Sequence, residues 1–222
     1  MPNIKSVIFD LDGTLADTIG DITDAVNYVL TGQGFPLHTP DEYKYFVGDG
    51  IRELMVRSLP DEKKTDREFV DSCLITFKNY YDVNYCVHTV PYDGMTDTLK
   101  TLKEQGIRLA VVTNKNEEAA KLVTAKLFPG IFEYVIGNSD RIKQKPDPTE
   151  VLKIMEHFGV TKTETLYAGD SYTDIETAKN AGVKSIGCLW GFRTYDELKN
   201  AGADFIIKNP EEILNCIKGE NQ

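Results

Sequence analysis

The sequence predicts an α/β protein: a parallel sheet covered by helices on both faces, interrupted after its first strand by an all-helical insertion. Three observations support this. An apolar run from Ser6 to Phe9 ends abruptly in Asp-Leu-Asp-Gly-Thr, the pattern of a buried strand followed by a turn. Residues 17–84 then hold helical periodicity with no convincing strand. From about Val90 onward, strand-like runs alternate with helical segments, which implies βαβ units and a parallel sheet.

Within the insertion, Ile19, Ile22, Val26 and Val29 recur at three- and four-residue steps. Leu54 and Leu59 with Met55 and Val56 form a second apolar face, and Phe69, Cys73, Phe77 and Tyr80 or Tyr81 a third. Such faces bury against one another as a small bundle. Beyond it, strands are expected at Arg108–Thr113, Tyr134–Gly137, Thr165–Gly169, Lys184–Gly187 and Phe205–Ile207. Helices are expected at Thr96–Gln105, Glu117–Leu127, Pro148–Phe158, Asp174–Ala181, Tyr195–Ala201 and Pro210–Ile217. The first strand completes this sheet, so residues 1–16 and 85–222 form one domain and 17–84 the other. Hinges are expected near Ala16–Thr18 and Thr89–Gly94, where Pro91 and Gly94 break the pattern.

The chain has 222 residues, with 25 basic and 35 acidic side chains and a formal charge of −10. Hydrophobic residues at 41% and charged residues at 27% suit a globular protein with a sizeable core. A pI near 4.8 argues against a general nucleic-acid binder. A small anionic ligand remains compatible, because local cations and a metal override the net field. No apolar run reaches signal-peptide or membrane-span length, so no membrane partner and a cytoplasmic location are expected. The four cysteines are scattered without a CxxC pair, as in a reduced protein with free thiols. His88 beside Cys86 lacks the further ligands of a zinc site.

In open parallel sheets, ligands sit beyond the carboxyl ends of the strands. The polar residues there are Asp10 and Asp12 after the first strand, Thr113 and Asn114 after the second, and Asp170 after the fourth, with Asp174 one helical turn later. Lys145 lies in the loop after the third. Asp10 and Asp12 share one side of an extended segment. Two carboxylates forced together repel, so one holds a proton or both share a cation. Asp and Gly also favour plain turns, but DxDGT directly after an apolar strand is rare by chance. Asp170 and Asp174 add hard oxygen ligands to the same rim and suit magnesium. Asp170 alone reads more often as a helix cap than as a ligand. Lys145, held extended before Pro146, is placed to balance these acids, although most lysines are simply solvated. Thr113 and Asn114 can cap the helix that follows or bind a phosphate near its start.

At this point the sequence resembles the haloacid dehalogenase superfamily, whose four motifs lie in fixed order along a Rossmann-like core. Here they read IFDLDGT around Asp10, VVTNK around Thr113, KQKPDP around Lys145 and AGDSYTDIETAKNAG around Asp170. The resemblance covers essentially the whole chain, including a helical cap after the first motif. It implies that Asp10 is the nucleophile, forming an aspartyl-phosphate, and that Asp12 protonates the leaving alcohol and then activates water. It further implies that Asp12 offers its backbone carbonyl to magnesium, that Thr113 and Lys145 hold the phosphate, and that Asp170 binds the metal with Asp174 in support. The superfamily's dehalogenases lack the second aspartate, so Asp12 points to a phosphatase or phosphomutase.

The segment Val47-Gly-Asp-Gly50-Ile-Arg52-Glu-Leu resembles the cap segment of phosphoglycolate phosphatases. Arg52 is the candidate to neutralise a substrate carboxylate, with an exposed helix residue as the plain alternative. Gly48 and Gly50 would let that loop approach the core closely. A β-phosphoglucomutase cap would call for Arg where this chain has Ile51. The expected activity is therefore magnesium-dependent hydrolysis of a small phosphate monoester, 2-phosphoglycolate first. Other small esters, pyrophosphate and a phosphomutase are the alternatives, and a non-catalytic binding protein comes last. The expected assembly is a monomer or homodimer.

Overall fold

A computed structural model describes residues 3–139 and 141–218. In chain order the strands are β1 (Ser6–Phe9), β2 (Ala16–Asp17), β3 (Val90–Pro91), β4 (Arg108–Asn116), β5 (Tyr134–Asn138), β6 (Thr165–Gly169), β7 (Lys184–Cys188) and β8 (Phe205–Ile207). The helices are α1 (Ile19–Gln33), α2 (Pro40–Phe46), α3 (Ile51–Ser58), α4 (Arg67–Asn84), α5 (Met95–Glu104), α6 (Glu117–Leu127), α7 (Thr149–Phe158), α8 (Tyr172–Ala181), α9 (Tyr195–Ala201) and α10 (Ile213–Lys218).

Six strands form a parallel sheet in the order β5-β4-β1-β6-β7-β8. The apolar run at Ser6–Phe9 becomes its centre because both faces of β1 are buried. Val7 and Phe9 enter one core with Leu99, Leu102 and Val123, whereas Ile8 enters the other with Val151, Ile154 and Ala178. This is the period-two alternation of a strand covered twice. The chain builds outward from β1 through β4 to β5, then returns to β6 and builds the other way. The switch point therefore lies between β1 and β6, where such sheets open a ligand crevice.

A third apolar cluster, separate from the sheet, joins α1–α4 through Val26, Leu30, Tyr43, Met55, Cys73 and Phe77. The helical periodicity of the insertion thus becomes its own core. The reading of three helical faces passed over α2, because only Tyr43 of that helix is buried and no stripe forms. Its start is instead set by Thr39 and Glu42 in a capping box with Pro40 in the first turn.

Both expected hinges contain strand: Ala16–Asp17 pairs antiparallel with Val90–Pro91 as a two-stranded ribbon. Asp21 of α1 reinforces the return linker by accepting from the backbone N–H groups of Val87, His88 and Thr89 and from the Thr89 hydroxyl. Several boundaries also differ. Strand β4 runs on through Thr113 and Asn114 to Asn116, whose side chain caps α6 in their place. The segment expected as one helix over Pro210–Ile217 is a 3-10 turn, Pro210–Glu212, followed by α10. Helix α8 starts two residues before Asp174, capped by Ser171. The cysteines are all free. No helix among the described residues is long and apolar enough to cross a membrane.

Gly137 marks the tightest approach of β5 to the start of α6. A Cβ there would lie 2.5 Å from Glu117 Cα and 2.7 Å from Lys115 O, both backbone atoms that do not yield easily. Gly137→Ala is expected to destabilise the protein by about 1–3 kcal/mol. Urea denaturation would register this as a lower midpoint at unchanged slope.

Candidate active site

The carboxyl ends of β1 and β6 bring the acidic residues together. Asp10 N donates to Ala168 O at 2.9 Å, extending the ladder one residue past β1 and fixing the Asp10 backbone. The loop then folds on itself, with the Thr14, Leu15 and Ala16 amides all donating to Leu11 O. Gly13 adopts φ +83°, and a Cβ there would lie 2.5 Å from Asp170 Oδ2. Only glycine meets both demands. The Thr14 hydroxyl donates to Asp170 Oδ1 at 3.1 Å, and Phe192 N donates to Asp170 Oδ2 at 2.7 Å.

Lys145 is the hub. Its side chain is 4% exposed, and Nζ lies 2.9 Å from Asp10 Oδ1 and 2.6 Å from Asp174 Oδ1. The approach to Asp10 lacks hydrogen-bond geometry and leaves Asp10 Oδ1 buried without a hydrogen-bond partner among the described residues. Asp174 Oδ2 accepts from Ser171 N and Oγ in the capping box of α8. One carboxylate thus fixes the helix start with one oxygen and the lysine with the other. Asn114 secures the Lys145 backbone, accepting from its N–H at 2.8 Å, while Asn114 Nδ2 donates to Gly48 O at 2.8 Å. Thr113 is buried, and its hydroxyl accepts from Lys115 N.

Carboxylate oxygens of Asp10, Asp170 and Asp174 lie within 4.8 Å of one another. Burial raises Asp10 to about 6, with Asp174 and Asp12 adding to the rise and Lys145 opposing it. Burial, then the charges of Asp174 and Asp10, raise Asp170 to about 8. Lys145 stays protonated: burial disfavours its charge, but Asp10 and Asp174 outweigh that. A set of buried hard oxygens, one of them unpartnered, fits a divalent cation of the magnesium kind.

A cleft of about 250 Å³ opens between this rim and the helical insertion. Asp10, Asp12, Thr113, Asn114 and Asp170 line it, and Ile51, Leu54, Phe77 and Tyr81 form the opposing wall. Lys145 and Asp174 stand behind Asp10. The insertion is tied down here: Arg193 donates to Lys44 O and Val47 O, and Tyr172 to Asp49 Oδ1. Gly48 and Gly50 have φ of +118° and +85°, and Gly48 reaches the core through Asn114. Trp190 donates to Thr14 O, and Phe192 packs into the helical cluster at the edge of the cleft.

Arg52 is not brought to the site. Ile51 opens α3 facing the cleft, and one residue later the helix has turned about 100°. Arg52 therefore points away, 53% exposed and paired with Asp71 of α4. The expected substrate ligand is here a surface ion pair outside the cleft lining. A residue not singled out from sequence takes a central place instead. Lys115 Nζ lies 3.0 Å from Asp12 Oδ1, with its side chain 8% exposed. Burial opposes its charge, but the Asp12 carboxylate beside it more than compensates, so it stays protonated. Its position as the third polar residue in VVTNK was the available signal.

The acid cluster sets a pH dependence. A carboxyl whose folded pKa exceeds its unfolded value binds its proton more tightly in the native state, so stability is lost as pH rises between the two values. In chelator, the stability contributed by Asp10 and Asp170 is expected to be lost as pH rises through about 6 and about 8, lowering the melting temperature over that range, above the pH where the other carboxylates titrate. Magnesium is expected to raise it most at the alkaline end. Asp170→Asn should flatten the upper part of the slope in chelator, and an unchanged slope would contradict this account.

The profile of the family described as haloacid dehalogenase-like hydrolase matches residues 7–188. The phosphoglycolate phosphatase of Aquifex aeolicus (strain VF5) is 36% identical over 215 residues, covering 96% of this chain and 97% of that one. The phosphoglycolate phosphatase of Pseudomonas putida is 35% identical over 218 residues, covering 96% and 77%. Among solved structures, a protein of Lactobacillus delbrueckii subsp. bulgaricus, provisionally named a phosphoglycolate phosphatase, superposes with a TM-score of 0.91 at 33% identity, covering 98% of this chain and 99% of that one. On these grounds the chain belongs to the haloacid dehalogenase-like hydrolase family and is a hydrolytic enzyme.

Proposed function

We propose that the enzyme is a magnesium-dependent phosphatase that hydrolyses a small phosphate monoester, 2-phosphoglycolate foremost, through an aspartyl-phosphate on Asp10. The arrangement of Asp10 and Asp12 facing one cleft, with Lys145 against Asp10, carries this reading. The names of the relatives above support the substrate. Residues 17–84 act as a cap over residues 1–16 and 85–222, their apolar wall limiting what enters.

An Asp10 carboxylate oxygen attacks phosphorus, and the bond from phosphorus to the ester oxygen breaks. Asp12, with Oδ1 accepting from Lys115 and Oδ2 carrying the proton, gives that proton to the departing alkoxide. It then takes a proton from water, which attacks phosphorus and frees Asp10 and inorganic phosphate. Lys145 keeps Asp10 ionised and steadies charge on the phosphoryl oxygens, and Thr113 offers them its hydroxyl. Magnesium bound by Asp10, Asp170 and the Asp12 carbonyl, with Asp174 in support, would supply positive charge against the phosphate dianion. Asn114 acts here by holding the Lys145 loop, a role distinct from direct substrate contact. The apolar wall excludes water during transfer.

Phosphate release from 2-phosphoglycolate, hexose phosphates, nucleotides and pyrophosphate tests this reading. Turnover is expected to be highest on 2-phosphoglycolate, to vanish in chelator and to fall by about 10⁴-fold or more in Asp10→Asn. Magnesium-dependent turnover of another ester would keep the mechanism and replace the substrate. Activity surviving in Asp10→Asn would overturn the mechanism.

A further inference from the structure

With Arg52 outside the cleft, the question of what receives a second negative charge on the substrate is open again. The other cations of the cleft are committed. Arg193 donates to backbone carbonyls of the insertion, and Lys78 pairs with Asp82 and Glu118. Lys115 differs. Among the described residues, Asp12 Oδ1 is the one hydrogen-bond acceptor of its ammonium, which carries three donors. Its Nζ sits 4.9 Å from the centre of the Tyr81 ring. Tyr81 comes from α4 on the opposing wall, is 5% exposed, and its hydroxyl has no hydrogen-bond partner among the described residues. A buried hydroxyl left unpaired costs free energy unless a ligand satisfies it.

We propose that Lys115 and Tyr81 together form the seat for a carboxylate on the substrate, and that this seat selects esters whose carboxylate lies one carbon from the ester oxygen. The selection follows from position. Asp12 must reach the ester oxygen to protonate it, and Lys115 lies 3.0 Å from Asp12. A group held by Lys115 is therefore close to that oxygen. A 2-phospho-carboxylate places its anion there, and a longer chain carries its anion past it. An ester lacking the carboxylate leaves Lys115 and Tyr81 unmatched in a buried site, the situation that gives enzymes their strongest discrimination. Lys115 and Tyr81 are thus specificity-determining residues, and this assignment rests on the phosphatase reading above.

The readout is the ratio of kcat/KM for 2-phosphoglycolate to that for ethyl phosphate, which has the same carbon skeleton without the carboxylate. The ratio is expected to be large in the wild type and to drop by about 100-fold in Lys115→Met. Tyr81→Phe should lower it by a smaller factor of about 10, and Lys115→Arg should restore most of it. Thermal melts of each variant show whether it is folded, and Tyr81→Phe tests the seat independently if Lys115→Met does not fold. If Lys115 served only to position Asp12, both substrates would lose rate equally and the unchanged ratio would overturn the proposal. A wild-type ratio near one, or turnover confined to esters without a carboxylate, would overturn it while leaving the phosphatase intact. Failure to hydrolyse any ester with magnesium would remove both readings.

Discussion

Three carboxylates are buried around one lysine, and the rest of the structure is arranged to keep them there. Asp10, Asp170 and Asp174 have lost most of their water, and Lys145 alone cannot neutralise them. The raised Asp10 and Asp170 carboxyls express that loss of water first and the crowding of like charge second. Such a cluster persists only on a scaffold too stiff to relax. The parallel register of β1 and β6 supplies it by placing Phe9 opposite Ala168, so that the next residues of both strands meet at the rim. A site short of positive charge is also one prepared for a cation and a phosphate dianion together.

The second layer of organisation divides labour between the two apolar bodies. The sheet holds the charged rim, and the helices α1–α4 present a mostly apolar wall to it. Short polar ties cross the cleft at Gly48, Val47 and Asp49, each to a residue beside the acid cluster. The ribbon of β2 and β3, with Asp21 gripping the return linker, fixes where the helical body leaves and re-enters the core. Phosphoryl transfer needs both a charged floor and a dry ceiling, and neither body provides both.

Much of the fold was legible in the sequence because its signals are local. The apolar runs at Ser6–Phe9, Thr165–Gly169 and Phe205–Ile207 became strands at those bounds. Glu117–Leu127 and Tyr195–Ala201 became helices. The rule that ligands gather past strand ends singled out Asp10, Asp12, Thr113, Asn114 and Asp170, and all of them line the cleft. What escaped was non-local. Helix α2 buries one aromatic side chain and has no stripe to read, and the ribbon needs a partner strand more than 70 residues away.

The sequence by itself determined the parallel sheet, the helical insertion and the set of acids at the rim, since periodicity and strand-end position act over a few residues. Tertiary structure alone decided which side chains face one another. It turned Arg52 outward to Asp71, assigned Asn114 to the Lys145 loop, and buried Lys115 between Asp12 and Tyr81. Those outcomes depend on a helix's rotation about its axis and on two bodies meeting across a cleft. Neither leaves a mark in the spacing of residues along the chain.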